Sequence, residues 1–156
     1  MSPKMLQLGQ EKIEQLNLSG KVELKMGNAH EIPFPDNSFD ITTLAFGIRN
    51  MENPLKVLSE IHRVLTFQGK TLILEFGLPQ NIFIRNPHLF YLRNIVPVIG
   101  GIFSGHYHAY RYINQTIEAF PYGEDFCKMM RESGFKNVKA SFLMLGVAII
   151  YQGEKL

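Results

Sequence analysis

The chain has 156 residues, 46% apolar and 19% charged, with a formal net charge of +2 and one cysteine. That is enough for one domain with its own core, and the mix excludes a disordered, collagen-like or coiled-coil chain. The basic residues form no run, so nothing supports an electrostatic nucleic-acid surface, and the lone Cys127 excludes an internal disulfide framework and suits a reducing, cytoplasmic setting.

Ser2-Pro3 reads as an N-cap and first helical position, and Met5, Leu6, Leu8, Ile13 and Leu16 follow at helical spacing before Gly20. Val22-Glu23-Leu24-Lys25-Met26 alternates apolar and charged, which predicts a strand. Pro33, Pro35, Asp36 and Asn37 mark a loop. Phe39 to Ala45 reads as a buried strand, and the run Ile41 to Phe46 suits cover on both faces. Asn53-Pro54 opens a helix with Leu55, Leu58, Ile61, Val64 and Leu65 on one face, broken at Gly69. Thr71 to Phe76 is the next strand.

This alternation predicts a mostly parallel α/β sheet in a single domain spanning 1–156. Residues 79–122, rich in aromatics, Pro and Gly, read as short helices and turns inserted as a lid or substrate wall. A helix from about Tyr122 to Ser133 ends at Gly134, and strands from Val138 to Met144 and Val147 to Gln152 close the chain. Gly146 between them permits a tight antiparallel connection. No signal-peptide core is visible at the N-terminus. The apolar run Ile95 to Phe103 falls short of the ~20 residues a membrane helix needs.

Several strings could carry chemistry. Gly27-Asn28-Ala29, followed by Ile32-Pro33-Phe34, could read an adenine edge, with the Asn carbonyl accepting from the exocyclic amine; an Asx turn is the competing reading. Phe46-Gly47-Ile48-Arg49-Asn50 places a permanent cation and an amide at a strand end, where Arg could hold an oxyanion or pair on the surface. Glu75 could orient a ligand or stand as a solvated strand end. In His106-Tyr107-His108-Ala109-Tyr110-Arg111-Tyr112, the His pair lacks a neighbouring group to complete a zinc site; the cluster could hydrogen-bond a phenol or be structural. Cys127 reads as a packed apolar side chain. Gly100 to Gly105 lacks phosphate-loop spacing, and the chain holds no Gly-x-Gly, which speaks against a nicotinamide oxidoreductase.

Together these strings resemble the ubiquinone/menaquinone biosynthesis C-methyltransferases of the UbiE type, from about Lys4 to Lys155. The most distinctive pieces are Asn28-Ala29 with Ile32 to Asp40, and Ala45-Phe46-Gly47-Ile48-Arg49-Asn50. Arg63-Val64-Leu65, Leu74-Glu75-Phe76, Tyr110-Arg111-Tyr112-Ile113, Phe120-Pro121 and Gly153-Glu154-Lys155 add to it. Thr66-Phe67-Gln68-Gly69 stands where the family usually has a Lys-Pro-Gly-Gly turn.

The resemblance implies an incomplete class I, Rossmann-like methyltransferase fold. It lacks the first two strands, the glycine loop and the ribose-binding acid, and keeps a mostly parallel sheet with a C-terminal antiparallel strand. It also implies S-adenosylmethionine as donor and a lipid-tailed demethylated quinol, a demethylmenaquinol or ubiquinol precursor, as acceptor, with no metal. Asn28, Ala29, Ala45 and Phe46 would lie on the cofactor side. Arg49 and Asn50 would lie near the reacting ring with the Tyr110-Arg111-Tyr112 region nearby, Tyr110 as the third catalytic candidate, and His106 and His108 as further proton relays. The expectation is a chain inactive by itself that self-associates through the exposed edge of Phe39 to Ala45. The alternative is a non-catalytic partner in quinone biosynthesis. Peripheral membrane contact would involve Phe90-Tyr91 and Ile102-Phe103.

Overall fold

The computed structural model describes residues 3–105 and 107–156. Helix α1, Pro3–Gln15, forms as its spacing predicts, while the expected cap Ser2 lies outside the described residues. The chain then turns back, with the Leu18 N–H donating to the Ile13 carbonyl at 2.9 Å. The predicted strand at Val22 to Met26 does not form; the segment is largely exposed and carries no ladder. A strand needs a neighbour's N–H and C=O groups, and among the described residues none lies beside it.

Strand β1, Phe39–Ala45, leads to helix α2, Pro54–Val64. Asn53 caps α2 by accepting the Lys56 N–H at 3.0 Å, and Pro54 fills the first helical turn. Val57, Leu58, Ile61 and Val64 are buried; Leu55, expected on that face, is 41% exposed. Strand β2, Leu65–Phe76, starts directly after α2 and runs through Gly69, where the sequence predicted a break. The Lys155 ammonium donates to the Arg63 and Leu65 carbonyls at 3.1 and 2.8 Å, so the near-terminal lysine caps the end of α2.

The segment 79–122, expected as short helices and turns, is more helical than that. It comprises α3 (Ile82–Phe90), a wide π-type turn (Tyr91–Ile95), α4 (Val96–Ser104) and α5 (Tyr107–Ala119). Helix α6 (Glu124–Glu132) and strands β3 (Lys136–Leu143) and β4 (Ala148–Glu154) follow. The β3–β4 connection passes through Gly146 at φ 100°, a conformation that suits glycine.

The sheet order is β1-β2-β4-β3. β1 and β2 are parallel, and β4 is antiparallel to both β2 and β3. Three strands therefore share one direction and β4 alone is reversed, the mostly parallel arrangement expected. β1 is the outer strand, and its far edge is unpaired among the described residues.

Strand parity sets the core. Thr71, Ile73 and Glu75 of β2 share a face with Ile149 and Tyr151 of β4, and these five are buried together with α2 and α6 side chains. The Phe126 ring lies 4.6 Å from that of Tyr151, whose hydroxyl accepts the Gly123 N–H at 2.7 Å. Cys127 is buried here, as read from the sequence. The opposite face stays partly open: Ile41 is 61% exposed and Leu72 37%. The expectation of cover on both faces is thus corrected, because α2 and α6 occupy only one.

Leu58 is fully buried at the centre of this core. Leu58→Ala should lower unfolding stability by about 2–5 kcal/mol in urea titrations. An unchanged midpoint would show that α2 is not held as described.

Candidate active site

The turn after β1 aims Arg49 inward. Its side chain is 7% exposed and pairs with Glu75, 1% exposed, through Nη1–Oε1 at 2.6 Å. Nη1 also donates to the Phe46 carbonyl at 3.1 Å, and Nε to Thr116 Oγ1 on α5 at 3.4 Å. The guanidinium carbon lies 5.1 Å from the centre of the Phe76 ring. Nη2 has no hydrogen-bond partner among the described residues. A buried charge is tolerable only when paired and hydrogen-bonded; Glu75 supplies that pairing and is not the solvated strand end one reading allowed. Parity could have found it: a carboxylate two residues beyond Ile73 on the core face requires a cation.

Phe46 adopts a left-handed backbone, φ 52°, unusual for an aromatic residue. The twist leaves its carbonyl on Arg49 and its ring 4.4 Å from that of Phe76. Asn50 Oδ1 accepts from the Tyr112 hydroxyl at 3.2 Å. Tyr112, a member of the His106 to Tyr112 cluster, is therefore the ring brought to the Arg49-Asn50 turn. Tyr110 instead packs into the α4–α5 seam, where a Cβ on Gly100 would come within 2.3 Å of its ring. It also lines a cavity of about 230 Å³ over the end of β2.

Asn28 forms the Asx turn: its Oδ1 accepts the His30 N–H at 3.0 Å. The oxygen considered for an adenine amine is thus engaged locally. Ala29 lines a cleft of about 350 Å³ with Ile32, Phe34 and Met51. The Thr42 and Thr71 hydroxyls, on residues that line that cleft, are buried without a hydrogen-bond partner among the described residues. Ala45 lies on the opposite face of the sheet, in a shallow groove with Leu72 and Leu74. The Asn28 and Arg49 loops do meet at the carboxyl end of β1, where the Asn53 N–H donates to His30 Nε2 at 3.2 Å.

A clamp fixes the cleft wall. Glu60 on α2 accepts the Ile32 N–H at 2.9 Å, and Arg63 donates to the Ile32 and Phe34 carbonyls, both at 2.9 Å. Hydrogen bonding to the Arg63 side chain holds the Glu60 carboxyl down at about 2; burial opposes this and the Ile32 N–H reinforces it. Among the described residues no three His, Cys, Asp or Glu side chains gather as a metal site, and His106 lies outside those residues. His108 is exposed on α5 beside the Tyr107 ring.

The ubiE/COQ5 methyltransferase family profile matches residues 1–155. The chain is 38% identical to the ubiquinone/menaquinone biosynthesis C-methyltransferase UbiE of Geotalea daltonii, over 99% of this chain and 65% of that protein. It is 37% identical to the demethylmenaquinone methyltransferase of a Geobacillus species, with the same coverage. The chain thus spans 65% of the length of these curated relatives. Among solved structures, a SAM-dependent methyltransferase from Aquifex aeolicus superposes with a TM-score of 0.62 at 17% identity, covering 99% of this chain and 65% of that one. A methyltransferase of Methanococcus maripaludis gives 0.63 at 20% identity, covering 97% and 62%. These two likenesses concern the fold.

Two outcomes follow from the geometry. Glu75→Leu leaves Arg49 buried and unpaired and should destabilise the fold by about 3–5 kcal/mol in urea, whereas Arg49→Met with Glu75→Leu should recover most of that loss; equal losses would mean the pair is not coupled. The Glu60 carboxyl lies below its ordinary 4.5, so its contribution is complete above that pH and lost as pH falls towards about 2. Amide exchange at Ile32, corrected for intrinsic rate, should accelerate across that window; constant protection would disprove the clamp.

Proposed function

The chain belongs to the ubiE/COQ5 methyltransferase family, and from that premise we propose that it serves S-adenosylmethionine-dependent C-methylation of a demethylated quinol. The observation that carries this reading is the buried Arg49–Glu75 pair at the carboxyl end of the parallel strands, beneath an aromatic helical wall. Ligands of open α/β sheets bind at that edge. The relatives named above are called a ubiquinone/menaquinone biosynthesis C-methyltransferase and a demethylmenaquinone methyltransferase, which supports the reading.

The cleft beside β1 suits the adenine. It offers apolar walls at Ala29, Ile32 and Phe34, and two buried hydroxyls able to donate or accept. Ala45 faces the other side of the sheet and takes no part in this cleft, and Phe46 stands at the turn beside Arg49. Asn28 contributes its side-chain oxygen only if the Asx turn opens. When bound, S-adenosylmethionine supplies a methyl group on a sulfonium, open to in-line displacement.

The chain's own residues act on the acceptor. A ring carbon becomes nucleophilic when a neighbouring phenol gives up its proton. Arg49 stays protonated and cannot take that proton. Its uncommitted Nη2 edge stabilises the phenolate instead, while Glu75, Thr116 and the Phe46 carbonyl fix its direction. Asn50, its oxygen engaged by Tyr112, keeps its amide N–H groups for the phenol or for a water that accepts the proton. Tyr110 lines the wall over the ring.

The exposed side chains Phe83, Phe90, Ile102 and Phe103 on α3 and α4 give an apolar face suited to a membrane surface, from which a lipid-tailed substrate could enter. No described helix is long and apolar enough to cross a membrane. The bare edge of β1 favours a second reading, a self-associating partner without catalysis of its own.

Mixing the chain with a demethylated naphthoquinol and rising S-adenosylmethionine separates the two. With no Gly-x-Gly to hold the cofactor's far end, methyl transfer should rise without saturating up to about 1 mM, the top of the usual KM range. Arg49→Ala should slow it more than about tenfold. A natively folded chain that forms no methylated product, and sediments as an oligomer, would leave the second reading in place.

A further inference from the structure

Helix α4 wears its apolar side chains in the reverse of the usual sense. Its buried face is made of Pro97 and Gly100. Gly101 beside them sits so close to α5 that a Cβ there would come within 3.3 Å of Tyr107 Cβ. The large side chains lie on the outer face: Ile95, Val98, Ile99, Ile102 and Phe103 recur at helical spacing and are all exposed, Phe103 at 87%. On α3, Phe83 is 85% exposed, and Phe90 is exposed as well. An apolar stripe of this length is a mark of a surface that meets something other than water.

The charge around the stripe has one sign. From Phe76 to Ile117 the sequence holds no Asp or Glu, while Arg85, Arg93 and Arg111 fall within it. Arg93 and Arg111 line an open groove of about 600 Å³ between the π-type turn and α5, with Tyr107, Gln115 and Glu118. Glu118 accepts from Arg93 Nε at 2.9 Å. That bond holds its carboxyl below the usual carboxylate range; burial opposes this, and the charges of Arg93 and Arg85 add to it. Arg111 is exposed and has no hydrogen-bond or ion-pair partner among the described residues. Glu118 offsets one guanidinium and leaves the groove positive.

We propose that α3 and α4 form a docking surface for an anionic lipid membrane: the stripe enters the acyl boundary, and Arg111, with Arg93 and Arg85 beside it, meets the phosphates of acidic headgroups. The inference deepens the membrane reading given above and rests on it. Tyr107 joins the two parts, since it lines the groove and packs on the back of α4. A helix with its side chains is about 10–12 Å across, and an interfacial helix sinks about 5–10 Å. Guanidiniums one helix behind the stripe therefore stand at headgroup depth, and their apolar stems can extend along the interface. A second copy docked stripe to stripe is the poorer occupant, because it would bring two positive, acid-free faces together.

Flotation with vesicles tests this. One set is phosphatidylcholine alone; in the other, phosphatidylglycerol replaces a third of it. The chain should bind the anionic vesicles about tenfold tighter or more, and raising salt from about 0.1 M to about 0.5 M should remove most of that preference. Arg111→Glu should bring the two vesicles within about threefold. Ile102→Ser with Phe103→Ser should lose attachment to both; these side chains are exposed, so the exchange leaves the core alone. Equal binding to the two vesicles would overturn the proposal and leave the membrane reading; binding to neither would remove both. Release by inorganic phosphate at constant ionic strength would make the groove a site for a small anion and overturn the lipid assignment. Vesicle binding unaffected by the double serine variant, with a smaller particle in sedimentation, would give the stripe to a second copy instead. None of these readouts depends on methyl transfer, which is measured separately.

Discussion

The arrangement turns on one ion pair. Arg49 and Glu75 are both withdrawn from water, and each tolerates that only because the other is there. The pair ties the turn after β1 to the end of β2, and through Thr116 it ties both to α5. Sheet edge and helical wall are therefore joined by a charge contact and not by apolar packing alone. That suits a place meant to meet a developing negative charge, since the donors are directed before any ligand arrives.

Around the pair, each neighbouring region has its own fastening. Among the described residues the Asn28 to Phe34 segment joins no sheet, yet Glu60 holds its Ile32 N–H and Arg63 its Ile32 and Phe34 carbonyls to α2. Lys155, from the far end of the chain, closes the same helix. The polar residues spaced along α2 and the closing Gly153-Glu154-Lys155 are thus joined in space. The two groups of strings in which the sequence resemblance was seen meet at one helix end.

Local pattern made much of this legible. β1, α2 with its Asn53 cap, α6 and the antiparallel close were all visible, because parity and capping are written in neighbouring residues. Val22 to Met26 was misread, because alternation states which faces a strand would show but not whether a neighbour exists to pair with it. Gly69 looked like a break, yet β2 passes through it at an irregularity: the register against β1 shifts between Phe39 and Ile41, and a Cβ at Gly69 would come within 2.8 Å of the Thr66 carbonyl and 3.1 Å of the Asp40 carbonyl. Arg49 was found by its motif, and Glu75 and Tyr112 stood in strings already singled out, but that Glu75 is the partner of Arg49 needed the count along β2, and which tyrosine meets Asn50 depends on how α5 lies over the sheet. That placement is tertiary, and no spacing in the chain encodes it.

Phe46 stands in a backbone conformation that glycine would occupy without strain. Phe46→Gly would relax the turn, but it would also strip the aromatic cover from Phe76, slacken the guanidinium's seat and give the unfolded chain more freedom. The twisted turn and the aimed cation are thus held by the same ring, and a thermally hardened descendant would be expected to gain its robustness elsewhere in the molecule.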